Sequence, residues 1–261
     1  MTKVQLVRER DKLPFFQYHD KKVYYRDEGK GKVLLLLPGN TASSAVHLSE
    51  IKFFSESFRV ICPDYVGYGQ SDRVERLPVD FWWVTAEMCM DLVQSLNVDD
   101  FIAIGTSGGG IIALDAAIIA PNFVKCVVAD SIPGEFLNRE QLQREVKKRE
   151  SLTEDSIEFW KNAHGQDWNR VVQMDSRLIL EIAEVENSLF KDRLSEVKCP
   201  VLLTGSLMDD AIPNIELEIC SIAKKISTSK TVLFPAGGHP LMWSRPNDFR
   251  KEVVSFVSGV K

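Results

Sequence analysis

A serine between two glycines is the feature of this chain that indicates chemistry most directly. Residues 99–120 read DDFIAIGTSGGGIIALDAAIIA, in which the apolar run FIAI is followed by Gly105, Ser107 and Gly109 and then by an Ala-rich segment of helical character. In a tight turn from a strand to a helix, glycines at these two positions remove side chains that would collide with the strand or the helix. The pattern predicts that the Ser107 hydroxyl stands exposed above a sheet as a nucleophile.

Other interpretations of this segment are less well supported. An ordinary glycine-rich turn remains an alternative, whereas a P-loop is not indicated because no Gly-Lys-Ser or Gly-Lys-Thr follows the glycines. A thiol nucleophile is not favoured, since none of the cysteines occupies such a turn. The cysteines are Cys62, Cys89, Cys126, Cys199 and Cys220. Their odd number and the lack of a Cys-x-x-Cys pair favour a reduced, cytoplasmic setting.

A serine nucleophile needs a base, and the chain offers few. The histidines are His19, His47, His164 and His239. His239 lies in PAGGHPLMW, directly after the last predicted strand. Because the carboxyl ends of parallel strands meet at one edge of a sheet, His239 and the Ser107 turn are expected at the same edge. We therefore predict that His239 is the base.

The acid that orients the base should follow another strand. The strand PVLLT is followed by GSLMDDAIP, which offers Asp209 and Asp210, and Asp130 ends a further strand. Two adjacent carboxylates cannot both face inward, so one of the pair should be solvated. Any of the three could accept the imidazole Nδ1–H and hold the useful tautomer. Asp209, Asp210 and Asp130 therefore all remain candidates for the acid.

Stabilising an oxyanion requires two convergent N–H donors. The backbone N–H of Gly108 follows the nucleophile directly, and the loop PGNTASS after the strand VLLLL offers the N–H of Asn40. Pro38 has no N–H to offer. Another glycine-rich loop, residues 63–72, is expected to shape the site, with Asp64 capping backbone N–H groups.

Composition narrows the class of protein. The chain has 261 residues, a net charge of −5 and 44% hydrophobic residues, which suits one large globular domain. No run of five or more basic residues occurs, so nucleic acid and anionic membrane surfaces are not expected partners. The N-terminus MTKVQLVRERDKLPF has no apolar core of a secretion signal. We expect a monomer or homodimer that acts on a small molecule without a metal or organic cofactor.

Short apolar strands alternate with longer amphipathic segments along the chain. This alternation predicts an α/β fold with a mainly parallel sheet flanked by helices. Strands are expected at 15–19, 22–28, 33–37, 58–62, 101–105, 124–129, 200–204 and 230–235, the first two antiparallel. Helices are expected at 44–57, 81–96, 108–119, 214–226 and 247–258. Residues 134–196 contain charged, helix-forming sequence, which predicts a helical insertion after the sixth strand.

These motifs resemble the α/β-hydrolase fold superfamily over nearly the whole chain. The matching features are the order Ser107…Asp209…His239, the glycine-flanked serine, the Gly39-Asn40 turn, the run Asp64-x-x-Gly67-x-Gly69-x-Ser71, and Pro246 seven residues after His239. The resemblance implies an eight-stranded core domain of residues 1–133 and 197–261 with a helical cap, or lid, of residues 134–196. In that family the acid commonly stands four residues before a proline, as Asp209 stands before Pro213.

The chain departs from the family pattern in two places. The family usually has His-Gly where this chain has Pro38-Gly39, and the spacing from Gly205 to the acid is one residue longer, so Asp210 stays an alternative. A serine at the turn argues against the haloalkane dehalogenase branch, which uses aspartate.

The resemblance implies a serine hydrolase acting on an ester or related acyl bond through an acyl-enzyme. Trp243 and Trp83 are expected to contact an apolar substrate group, although both would also suit the core. The same residues can serve amidases, C–C bond hydrolases, acyltransferases and cofactor-free haloperoxidases. A small-molecule receptor on a hydrolase scaffold is the alternative from another class.

Overall fold

The computed structural model describes residues 14–185 and 187–260. The N-terminal stretch, in which no secretion signal is expected, therefore lies almost wholly outside the described residues. Its strands form one eight-stranded sheet in the order β1-β2-β4-β3-β5-β6-β7-β8. The strands are β1 (Phe15–Tyr18), β2 (Lys21–Gly29), β3 (Val33–Leu37), β4 (Arg59–Pro63), β5 (Phe101–Thr106), β6 (Val124–Asp130), β7 (Val201–Ser206) and β8 (Ser229–Phe234).

The sheet is mainly parallel, as the alternation of strands and helices predicts. From β4 to β8 across the sheet all neighbours run parallel, whereas β1 pairs with β2 and β2 with β4 in antiparallel register. Every residue of β3, β5 and β7 is buried. Continuous apolar runs suit these central strands because helices cover both of their faces.

Helices lie on both faces of the sheet and beyond its edge. They are α1 (Leu48–Ser55), α2 (Phe81–Ser95), α3 (Gly108–Ile119), α4 (Arg139–Glu150), α5 (Glu154–His164), α6 (Trp168–Ala183), α7 (Ile215–Lys225), α8 (Leu241–Ser244) and α9 (Pro246–Ser258). Alternate residues of β3 pack against the helices on opposite faces of the sheet. Leu35 packs in the apolar cluster with α2 and α3, and Leu34 packs in the cluster with α1 and α9. Of the helices that are described, none combines the length and apolarity needed to cross a membrane.

The segment between β6 and β7 carries α4, α5 and α6 and, in its described residues, no strand. We call residues 134–196 the helical insertion. Its helix α6 buries an apolar stripe that includes Val171, Met174 and Leu178 in the main core cluster. Helix α4 has no buried residue. The insertion is therefore anchored to the sheet domain through α6 and through α5, whose buried residues include His164.

Candidate active site

The turn at Ser107 joins the end of β5 to the start of α3. Ser107 has φ 53° and ψ −126°, a backbone conformation that L-residues rarely adopt and that persists only when the surroundings enforce it. A Cβ on Gly105 would lie 2.0 Å from the carbonyl oxygen of Gly109, and one on Gly109 would lie 2.1 Å from that of Leu37. The two glycines are thus required by backbone contacts that no side-chain movement could relieve.

Substituting Gly109 with alanine is expected to destabilise the fold. The new methyl group would meet the backbone of β3, so the turn would have to shift at a cost of about 3 kcal/mol or more in the free energy of unfolding. Thermal unfolding of the Gly109→Ala protein measures this loss. Gly259→Ala is the matched control, because its Cβ would approach the Phe256 carbonyl oxygen at an ordinary 3.4 Å. Equal melting temperatures for the two variants would contradict the argument.

His239 and Asp209 form a close pair at the carboxyl edge of the sheet. The His239 Nδ1 lies 2.9 Å from Oδ2 of Asp209 and 3.2 Å from Oδ1. The Asp209 side chain is completely buried, and its Oδ1 also accepts hydrogen bonds from the backbone N–H groups of Ala211 and Ile212, at 3.0 and 2.8 Å. A carboxylate fixed by backbone donors holds the imidazole with Nδ1 protonated and leaves Nε2 free to accept a proton.

The other two candidate acids contact different groups. Oδ1 of Asp210 accepts the backbone N–H of His239 at 2.8 Å, so Asp210 holds the main chain and not the ring. Asp130 is fully buried and bonds the hydroxyls of Thr204 and Thr106 and the N–H of Met242. Burial raises the pKa of Asp130 to about 6 against those hydrogen bonds. Neither carboxylate bonds the His239 ring within the described residues.

Ser107 and His239 line one cavity of about 320 Å³ beneath the helical insertion. Its wall is mainly apolar and combines residues of the sheet domain with residues of the insertion. Among its aromatic and aliphatic lining residues are Trp82, Ile111, Phe136, Leu142, Phe159 and Trp243. A mostly apolar cavity with a few convergent polar groups is typical of a small-molecule site.

The two tryptophans expected to contact substrate lie in different places. Trp243 lines the cavity. Trp83 does not line this cavity. It lies under the ammonium group of Lys191 and donates its Nε1–H to Glu87 at 3.0 Å, beside a separate cavity. The rotation of α2 instead directs Trp82 toward the cavity. The placement of Trp83 does not support a substrate contact.

The expected oxyanion donors border the same cavity. Gly108 begins α3, so its N–H has no acceptor within the helix. The Asn40 N–H donates to no acceptor among the described residues, and Asn40 also lines the cavity. Asp64, in the neighbouring loop, accepts the N–H groups of Ser44 and Gln70 at 2.7 Å each, as its expected capping role requires.

The described part of the chain holds no group of three or more His, Cys, Asp or Glu side chains arranged to bind a metal ion. All five cysteines are free, and Cys62 and Cys126 are buried in β4 and β6. Burial raises the pKa of Cys126 to about 12, so its thiol is not a nucleophile at neutral pH.

Sequence reasoning missed a buried carboxylate that reaches the site from the helical insertion. Asp175 of α6 has no exposed side-chain surface and accepts a hydrogen bond from the side chain of Asn40 at 2.7 Å. The position of Asp175 in the sequence could have indicated that it is buried. It lies one helical turn after Val171 and before Ile179, on the apolar stripe of α6, where an acidic residue must have a buried partner.

Comparisons with known proteins agree with this architecture. The model of the α/β hydrolase fold family matches residues 32–176. The human serine hydrolase BPHL is 26% identical over 245 residues, which cover 90% of this chain and 82% of BPHL. The putative carbamate hydrolase RutD of Rhizobium rhizogenes is 23% identical, covering 90% and 96%. An esterase from Exiguobacterium antarcticum superposes with a TM-score of 0.75 at 19% identity, covering 94% and 99%. With more than half of its length matched by the family model, the chain belongs to the α/β-hydrolase fold family.

Proposed function

We propose that this protein is a serine hydrolase that cleaves an ester or related acyl bond of a small, mainly apolar substrate. One observation carries the proposal. The His239 ring, held by Asp209, lies at the wall of the same cavity as a serine in a strained strand-to-helix turn. Strain of this kind is concentrated at functional sites. Membership in a hydrolase fold family, and relatives named as hydrolases, support the same class of reaction.

In the proposed reaction, Ser107 attacks the carbonyl carbon while Nε2 of His239 takes its proton. The backbone N–H groups of Asn40 and Gly108 stabilise the oxyanion. His239 then donates the proton to the leaving group as the acyl-enzyme forms. Water attacks the acyl-enzyme with His239 again as base, which returns the serine hydroxyl. Loss of one oxyanion donor from such a site costs about 10²–10³ in rate.

The helical insertion, residues 134–196, would act as the cap over a core domain of residues 1–133 and 197–261. Phe159 and Trp160 of α5 line the same cavity as Ser107 and Trp82 of the sheet domain. A substrate acyl or alkyl group would therefore be enclosed between the sheet domain and the insertion. Apolar surface removed from water on both sides supplies its binding energy.

The charges around the cavity favour a neutral substrate. Among the described residues, Arg149 is the only lysine or arginine in its wall, and its guanidinium bonds Asp175 at 2.6 Å and approaches Glu145 at 3.6 Å. Glu218 also lines the cavity and has no cationic partner there among the described residues. Because Arg149 is already compensated, a substrate carboxylate would gain little from it.

A panel of matched acyl compounds tests the proposal. We expect turnover of neutral p-nitrophenyl esters of short to medium acyl chains and much slower turnover of the succinyl ester, which matches butyryl in length but carries a charge. The corresponding anilides and carbamates show which type of bond the protein cleaves. Binding of these compounds without any turnover would contradict the proposed hydrolase and would favour a small-molecule receptor.

The pH dependence of kcat/KM should have an acid limb set by His239. Burial lowers the pKa of this ring, but the hydrogen bond and charge of Asp209, with the charges of Asp130 and Asp210, outweigh burial and raise the pKa above its ordinary 6.5. The base must be neutral, so activity is full above this raised pKa and is lost as pH falls through it. Initial rates between pH 5 and 9 measure the limb.

Asp210→Asn is the matched variant for this pH profile. Asparagine keeps an acceptor for the His239 N–H but removes one negative charge near the ring. The acid limb should therefore move to lower pH while the rate on the alkaline plateau is retained. A flat profile in the wild type, or an unmoved limb in the variant, would contradict the assignment.

A further inference from the structure

The loop that carries Asn40 is held in place by the helical insertion. Thr41, the next residue, has φ 56°, in the left-handed region that a threonine adopts only under constraint. The loop between β3 and α1 has a further anchor two residues on, where the Ser43 hydroxyl donates to the carbonyl oxygen of Ala163 in α5 at 2.7 Å. The conformation of the loop therefore depends on contacts with residues more than a hundred positions away.

Asp175, from helix α6 of the helical insertion, holds the Asn40 side chain by a hydrogen bond. Its Oδ2 accepts the Asn40 Nδ2–H at 2.7 Å and the Tyr68 hydroxyl at 2.5 Å, and its Oδ1 accepts from Arg149 at 2.6 Å. On the other side, Trp82 donates its Nε1–H to Oδ1 of Asn40 at 3.0 Å. The Asn40 carboxamide is thus held between a residue of α2 in the sheet domain and a residue of α6 in the insertion.

His164 fixes the next residue of the loop. Its Nε2 lies 3.0 Å from the Thr41 carbonyl oxygen, and its Nδ1 lies 3.0 Å from the Gly69 backbone nitrogen. A backbone N–H can only donate, so Nδ1 accepts and Nε2 carries the proton that is donated to Thr41. Burial lowers the pKa of His164 to about 4, which keeps the ring neutral at physiological pH.

The Asn40 side chain also occupies the space next to Gly108, the other expected oxyanion donor. A Cβ on Gly108 would lie only 1.9 Å from Oδ1 of Asn40, so the carboxamide packs directly over the first residue of α3. The position of this side chain is therefore coupled to the separation of Asn40 and Gly108, which both line the cavity. Misplacement of a catalytic group by about 1 Å can cost roughly 10²-fold in rate.

We infer that Asp175 and His164 are positioning residues through which the helical insertion sets the oxyanion-binding geometry of Asn40. The inference rests on the proposed function. It means that the insertion does more than enclose substrate: the site can stabilise an oxyanion only while α5 and α6 are docked. Neither residue lines the cavity, and both act through the loop of Asn40 and Thr41.

Two variants of His164 separate positioning from packing. His164→Gln places a side-chain N–H near the position of Nε2 and retains the donor to Thr41, whereas His164→Asn places a carbonyl oxygen near Nδ1 and retains only the acceptor for Gly69. We expect kcat of the glutamine variant within about threefold of wild type and a loss of about 10–100-fold in the asparagine variant, with KM little changed in both, as for a misplaced oxyanion donor.

Asp175→Asn provides an independent readout. It should lower kcat by about 10-fold or more with little change in KM, and weaken binding of a boronic acid, which forms a tetrahedral oxyanion on the serine, by a similar factor. Glu181→Gln is the matched control. It lies on the same helix and pairs with Arg76, at 3.0 Å, away from the loop of Asn40. Its kcat and inhibitor affinity should equal those of wild type.

Failure of the positioning role and failure of the proposed function would give different results. Equal kcat in wild type and both His164 variants would overturn the positioning role and leave the hydrolase proposal intact. Equal losses in both variants, accompanied by lower melting temperatures, would show a packing role and also overturn it. A wild type that neither turns over esters nor forms a boronic acid adduct would contradict the proposed function, and the positioning role with it.

Discussion

Replacing His239 with glutamine should lower kcat/KM by about 10⁴-fold or more while leaving the fold intact. Without the ring, Ser107 has no base, and the remaining rate comes from binding and oxyanion stabilisation alone. Steady-state hydrolysis of the best neutral ester measures the loss, and circular dichroism checks the fold.

His19→Gln is the matched control for this variant, because His19 lies on the exposed turn between β1 and β2. It should retain wild-type activity. A His239→Gln protein with more than about a tenth of wild-type kcat/KM would show that another group takes the proton, since a true general base contributes at least about 10².

Substituting Asp209 with asparagine should lower kcat by about 10⁴-fold, as the loss of the correct imidazole tautomer does in a serine triad. The new carboxamide would be free to donate its N–H to Nδ1 of His239, which would place the imidazole proton on Nε2, where the ring cannot accept from Ser107. Geometry is preserved, so the melting temperature should change far less than the rate.

Asp210→Asn tests the neighbouring carboxylate under the same conditions. Because Asp210 bonds the backbone N–H of His239 and not its ring, this variant should keep most of the wild-type kcat on the alkaline plateau. A larger loss in Asp210→Asn than in Asp209→Asn would reverse the assignment of the acid. Asp130→Asn would then need the same comparison.

The elements that position the site could be predicted because their signals are local. Short apolar runs predict β3, β5 and β7, and glycine spacing predicts the turn at Ser107. The expected position of His239 follows from its place after the last strand, since parallel strands bring their ends to one edge.

Other features depend on contacts that a linear sequence does not show. The choice between Asp209 and Asp210 depends on which side chain turns inward after β7. Whether Trp83 or its neighbour reaches the cavity depends on the rotation of α2. The bond between Asn40 and Asp175 joins residues 135 positions apart. Each of these features depends on three-dimensional packing, which the spacing of residues along the chain does not specify.

Intact-mass measurement after treatment with a small fluorophosphonate shows whether Ser107 is an activated nucleophile. We expect one adduct on the wild type and none on Ser107→Ala, whose Cβ preserves the packing of the turn. An equal adduct on both proteins, or no adduct on a folded wild type, would show that Ser107 is not the nucleophile.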